Sequence, residues 1–192
     1  MPKIIEFVTF VIMIHRHFLC KSFATLMFLL GAAKLMAADQ FVLFQPSSDA
    51  LQLKYLTVGY GDNEHSCVQI AAENLLSDFE KVTGKKATKS ANEVEVLIGT
   101  VGVNSQIDQW VKQGMLRDLK GKTEKYIIKT IGNQLVVAGS DKRGTVYGIY
   151  ELSKQIGVSP WYYWADVPVD KHTYLYIKKG EYTDGEPAVR YR

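Results

Sequence analysis

KYIIKTIGNQLVVAGSDKRGTVYGIYELSKQ, residues 125–155, decides how the rest of the chain is read. Two β-rich runs, KYIIKTI and QLVVAGS, flank Gly132-Asn133, the pattern of a hairpin closed by a two-residue turn. Directly afterwards, Ser140 or Asp141 offers an N-cap to a helix carrying Val146, Ile149, Ser153 and Ile156 on one face. Gly144 and Gly148, four residues apart, leave a groove on that helix for close approach by a strand or backbone. A strand running straight into a capped amphipathic helix is the unit of a layered fold.

Working towards the N-terminus, VEVLIGT (94–100) reads as a central strand. It is followed by a short helix, SQIDQWVKQG, capped by Asn104 or Ser105 and stopped at Gly114. A longer helix is expected from about Glu64 to Thr83, with Asp62 and Asn63 as N-caps. Its stripe is Val68, Ala71, Leu75, Phe79 and Val82, and Gly84 stops it. Cys67 sits beside that stripe as a passive, partly buried thiol. QFVLF (40–44), closed by Pro46 and PSSD, and LQLKYLTVGY (51–60) read as two early strands. TYLYIKKGEY and AVRYR read as late ones. The expected class is α/β or α+β: a mixed β-sheet with about three helices packed on it.

Residues 1–38 are a region apart. IIEFVTFVIMI and FATLMFLLGAA are each about half the ~20 residues of a membrane span. Read from Met13, the segment has a basic start, a short apolar run and small residues near Ala37 and Ala38. That is the order of a secretory signal peptide, with cleavage near Ala37 or Ala38 and a secreted or periplasmic product. The alternative is an uncleaved N-terminal anchor. Residues 39–192 are expected to form the domain, with no stable membrane span.

Four of the 23 basic residues and one of the 20 acidic ones lie in 1–38, leaving 19 of each from residue 39 on. A neutral domain gives no electrostatic case for nucleic acid. Of the two cysteines only Cys67 remains there, so no disulfide framework or cysteine-based zinc site is expected.

Metal, cofactor and catalytic motifs are not evident. His65 and His172 stand far apart without a ligand pattern, and no G-x-S-x-G elbow occurs. GTVGVNSQ follows a strand and precedes a helix, but it lacks the glycine and lysine pattern of a phosphate loop. The carboxylate pairs Asp166/Asp170 and Asp184/Glu186 read as turn and rim positions rather than the two-carboxylate set of a glycosidase.

PWYYWAD (160–166) is the remaining unusual feature. Read as a strand, it points Trp161 and Tyr163 one way and Tyr162 and Trp164 the other, with Asp166 on the face of Trp164. One pair would fill the core. The other would cover a neighbouring domain or the C–H face of a sugar ring, with Asp166 accepting hydrogen bonds from sugar hydroxyls.

The runs VLIGTVGVNSQIDQWVKQGML, VVAGSDKRGTVYGIYELSKQIGVSPWYYWADVPV and GEPAVRYR resemble the N-terminal domain of glycoside hydrolase family 115, the xylan α-glucuronidases. The resemblance covers most of residues 40–192. It implies inverting hydrolysis of glucuronic acid or 4-O-methylglucuronic acid branches of glucuronoxylan, in a secreted or periplasmic enzyme without a cofactor. In that family a barrel following this domain carries the catalytic carboxylates. No position here matches them, so no catalytic residue is assigned, and the chain is expected to be an N-terminal fragment inactive alone. Trp164 and Asp166 are its candidate substrate contacts, and Trp161, Tyr162 and Tyr163 its interdomain or sugar-facing aromatics. The alternative is a stand-alone carbohydrate-binding or docking module using the same aromatic face.

Overall fold

The structure, a computed structural model, describes residues 40–184 and Glu186. The expected signal peptide and AVRYR lie outside the described residues. Nine strands are present among them: β1 (Val42–Leu43), β2 (Ala50–Leu53), β3 (Thr57–Gly59), β4 (Thr88–Lys89), β5 (Val96–Thr100), β6 (Tyr126–Ile131), β7 (Gln134–Gly139), β8 (Leu175–Lys178) and β9 (Glu181–Tyr182). The helices are α1 (Ser66–Thr83), α2 (Ser105–Lys112), α3 (Lys142–Gln155) and a single turn, α4 (Tyr162–Ala165), besides a 3-10 turn at Arg117–Leu119.

Six strands form a mixed sheet in the order β4-β3-β5-β7-β6-β9. β5 is central, as its composition predicts, and pairs in parallel with β3 on one side and β7 on the other. β6 and β7 form the expected hairpin, with Ile131 opposite Gln134 and Gly132 at φ 59 in the turn.

Side chains alternate across a strand, so each of these strands serves two faces. Leu135 and Val137 of β7, with Val96, Ile98 and Ile128, join Val68, Leu75 and Phe79 of α1 and Ile149 and Leu152 of α3. Val136 and Ala138 instead meet Ile127, Ile107 of α2, and Leu116 and Leu119. Helices therefore cover both faces of the sheet, α1 and α3 on one side and α2 on the other. This explains why β7 reads as a near-continuous apolar run rather than an alternating one.

The glycine groove of α3 is occupied as expected. A Cβ on Gly144 would run into the Lys125 carbonyl oxygen, and one on Gly148 would lie 3.0 Å from Val137 Cγ1 and 3.1 Å from Tyr126 Cβ. Asp141 caps the helix by accepting a 2.8 Å hydrogen bond from the Gly144 amide. Asn104 likewise caps α2, accepting from the amides of Gln106 and Ile107.

Three expectations are corrected. LQLKYLTVGY is not one strand: β2 and β3 belong to different sheets, separated by Lys54–Leu56. The Glu95 carboxylate gathers the three amides of that link at 2.6–3.1 Å, and Leu56 adopts φ 53. The long helix starts at Ser66 with His65 at its N-cap and no side-chain cap, so neither Asp62 nor Asn63 performs that role. Cys67 is exposed rather than partly buried.

TYLYIKKGEY splits in the same way. β8 lies between β1 and β2 in a separate three-stranded antiparallel sheet, while β9 joins the edge of the main sheet against β6. Phe41, Val42, Leu53, Leu175 and Ile177 bring the small sheet into the same apolar cluster as α1 and α3.

Candidate functional site

Residues 160–166 form a helical turn, not a strand. Ser159-Pro160 starts it: the Trp161 amide donates to Ser159 Oγ at 3.2 Å and the Tyr162 amide to the Ser159 carbonyl at 2.9 Å. The amides of Trp164 and Ala165 both return to the Trp161 carbonyl, at 3.0 and 2.9 Å. Proline at the start of a helical turn, behind a serine, is a sequence signal for this geometry.

The change of conformation regroups the side chains. In a strand Trp161 and Trp164 would face apart, whereas a helical turn places residues three apart side by side. Trp161 is 66% and Trp164 84% exposed. Tyr162 turns inward and packs against the main core cluster, with Lys81 Nζ 4.9 Å from its ring centre. For Tyr163 only the backbone is described. Asp166 closes the turn with φ 47 and ψ 36, exposed and beyond the last helical residue, so it does not share a strand face with Trp164.

Tyr162 and Lys81 tie the turn to the C-terminal end of α1, and residues 171–172 dock on the same end. Lys81 Nζ pairs at 2.9 Å with Asp78, whose carboxylate is buried. Lys171 Nζ donates to the Lys81 carbonyl, and the His172 amide donates to the Val82 carbonyl at 2.9 Å. The His172 ring stacks on Phe44 at 3.5 Å. Lysines at the end of α1 also oppose the negative end of its helix dipole.

A second cluster, absent from the sequence reading, lies at the carboxyl ends of the parallel strands. In open α/β sheets that is where ligands bind, at the point where strand order reverses. Here the order reverses between β3 and β5, and the chain's own side chains fill the space. Glu64 is buried and accepts from the Thr100 amide at 2.8 Å and from Thr100 Oγ1 at 2.9 Å. Thr100 Oγ1 lies 2.8 Å from Thr145 Oγ1, which donates at 3.0 Å to the Asp141 carbonyl. Asn63 Nδ2 bridges to the Val103 carbonyl at 3.1 Å. Glu64 was legible only as a helix start, because its partner is 36 residues away.

The carboxylate pairs of the last segments have separate roles. Glu186 accepts from Lys122 Nζ at 3.0 Å and from the Thr123 amide at 3.1 Å. The hydrogen bond from Lys122, then that from Thr123, holds its carboxyl below the usual range. Burial, and then the charge of Asp184, pushes the Tyr126 hydroxyl far above the usual phenol range. Asp166 and Asp170 are both exposed. Among the described residues no group of three or more His, Cys, Asp or Glu is placed to hold a metal ion.

Residues 49–152, more than half of the chain, match the family described as "Glycosyl hydrolase family 67 N-terminus". The chain belongs to that family. Its N-terminal-domain fold is also that of part of a solved family GH115 4-O-methyl-α-glucuronidase with specificity for decorated arabinogalactans, at 29% identity and a TM-score of 0.63. That likeness covers 76% of this chain but 18% of the GH115 enzyme. The family 115 resemblance read from the motifs is thus met in the structure. A GH20 exo-β-N-acetylglucosaminidase from Vibrio harveyi overlaps at 13% identity and a TM-score of 0.45, over 80% of this chain and 19% of its own. The GH20 β-N-acetylhexosaminidase of Streptomyces coelicolor A3(2) overlaps at 13% identity and 0.47, over 77% of this chain and 26% of its own. Neither of these two carries a functional argument. No curated protein matches the chain. In this glycosyl hydrolase N-terminal domain the filled strand ends leave the Trp161–Asp166 turn as the candidate functional site.

Proposed function

We propose that this chain is the accessory N-terminal domain of an α-glucuronidase that removes glucuronic acid or 4-O-methylglucuronic acid branches from a plant polysaccharide. The observation that carries this reading is the likeness to the GH115 4-O-methyl-α-glucuronidase over most of the chain. Decorated arabinogalactan, from that enzyme's specificity, and glucuronoxylan, from the motif resemblance, are the first substrate classes in this reading. The catalytic carboxylates would reside in a separate catalytic barrel, since the described carboxylates are committed to structure or stand apart. Glu64 holds Thr100, Glu95 holds residues 54–56, and Glu186 holds Thr123.

Trp164 and Asp166, with Trp161, Tyr162 and Tyr163, form the segment that meets substrate or the catalytic domain in this reading. Residues 1–38 would direct export to the periplasm or beyond. No helix among the described residues is long and apolar enough to cross a membrane. A second reading, a non-catalytic binding module, is favoured by one observation: two adjacent indoles exposed on an anchored turn.

The test compares uronic acid release from glucuronic-acid-decorated xylo-oligosaccharides and arabinogalactan fragments. The chain alone is expected to release none. A polypeptide extended by whatever the gene encodes downstream is expected to release it. Turnover by the chain alone would refute the accessory role, and an extended protein active only on unbranched glycans would refute the α-glucuronidase reading.

A further inference from the structure

The Trp161–Asp166 turn has a geometry more specific than an aromatic patch. Residues three apart on a helical turn carry their Cβ atoms roughly 5–6 Å apart. This spacing is comparable to the length of one pyranose unit in an extended glycan. Two indoles so placed can lie under two consecutive sugar rings. Asp166, in the left-handed conformation just beyond them, presents its carboxylate at the end of the same turn.

The platform is also prepared before any ligand arrives. Ser159 closes the start of the turn and Tyr162, packed on the core beside Lys81, ties it to the end of α1, so less ordering remains to oppose binding. Charge around it is mixed: exposed Lys85, Lys86 and Lys171 stand with exposed Glu80, Asp166 and Asp170. Such a surface has no electrostatic reason to select an acidic sugar over a neutral one.

The turn is remote from Glu186. Glu186 is fixed to Lys122 and Thr123, next to Glu124, which pairs at 2.7 Å with Arg143 at the start of α3. The aromatic turn follows the end of α3. With 14 residues in that helix, the two places are separated by about 20 Å along it.

Resting on the glycosidase reading above, we propose that Trp161, Trp164 and Asp166 form a surface site for the neutral main chain of an extended polysaccharide. Each indole stacks on one sugar ring, and Asp166 accepts hydrogen bonds from ring hydroxyls. The site would hold the polymer to the enzyme while branches are removed elsewhere.

Titration calorimetry of the full chain with β-1,4-xylohexaose and with a neutral β-1,3-galactan oligosaccharide tests this. Binding of either supports the site, and the comparison tells which main chain it takes. The hexaose is expected to bind several-fold tighter than xylobiose. Trp161→Ala and Trp164→Ala are each expected to weaken binding by about 3–10-fold. Asp166→Asn should weaken it less, and thermal unfolding of all three variants should match the parent. Absence of heat with both neutral ligands at millimolar concentration would overturn the proposal. So would binding that requires a glucuronic acid branch, binding that survives in the double tryptophan variant, or a dimer whose dissociation follows the tryptophan substitutions. Uronic acid release is read on the unaltered extended protein and neutral-glycan binding by calorimetry on the chain itself, so the two readings fail separately.

Discussion

Glu64 shows how one carboxylate can settle the character of a site. It is buried and satisfies the amide and hydroxyl of Thr100 where a ligand would otherwise enter between the strand ends. Leaving buried donors without partners costs roughly 1–3 kcal/mol each, so Glu64→Ala is expected to destabilise the domain by about 2–4 kcal/mol. Urea denaturation would measure the loss, and Glu64→Gln, which retains one acceptor, should cost less. Glu186 gives a pH-dependent case. Its folded-state carboxyl titrates below the usual value, chiefly through the hydrogen bond from Lys122. Its contribution is therefore complete above the ordinary carboxylate range, near pH 4–5, and fades as pH falls through the lowered folded value. The protection of the Thr123 amide, its exchange rate taken relative to the intrinsic rate at each pH, should fall on acidification before that of the main sheet.

At the scale of elements, the hairpin and α3 were legible because their determinants are local. Gly132-Asn133, the Asp141 cap and the Gly144/Gly148 pair each act within a few residues of themselves or across one hairpin. Gly144 makes the strongest statement. Alanine usually favours a helix over glycine by about 1 kcal/mol, but here its Cβ would meet the backbone carbonyl of Lys125, which cannot rotate away. Gly144→Ala is expected to lower stability by about 2 kcal/mol or more in thermal unfolding, the opposite of the propensity scale. The elements that sequence misplaced depend on distant partners. The break between β2 and β3 is imposed by Glu95, some 40 residues on. The aromatic run reads as a strand because Trp and Tyr favour strands, whereas Ser159-Pro160 is the local signal for a helical turn. The helical turn therefore regroups these side chains relative to a strand. Trp161 belongs with Trp164, and Tyr162 belongs with the core.

For the whole molecule, the two sheets bring together segments from opposite ends of the described chain. β8 is paired on both edges, by β1 and β2, and Leu175 and Ile177 are fully buried in the shared core. A chain ending at Tyr174 would leave Phe41, Val42 and Leu53 without their covering strand. It is expected to lose cooperative thermal unfolding and to bind hydrophobic dyes. Retention of a sharp transition would show that the main sheet, reduced to five strands by the loss of β9, stands without the small one.

The interleaving of β1, β8 and β2 also sets an order of events during synthesis. Residues 42–53 are made early, yet their pairing partner leaves the ribosome more than 120 residues later. Until then the core cannot close, however well the hairpin and helices have formed. A domain clasped by β8 cannot lock until that strand has been made, however early its two partners appear.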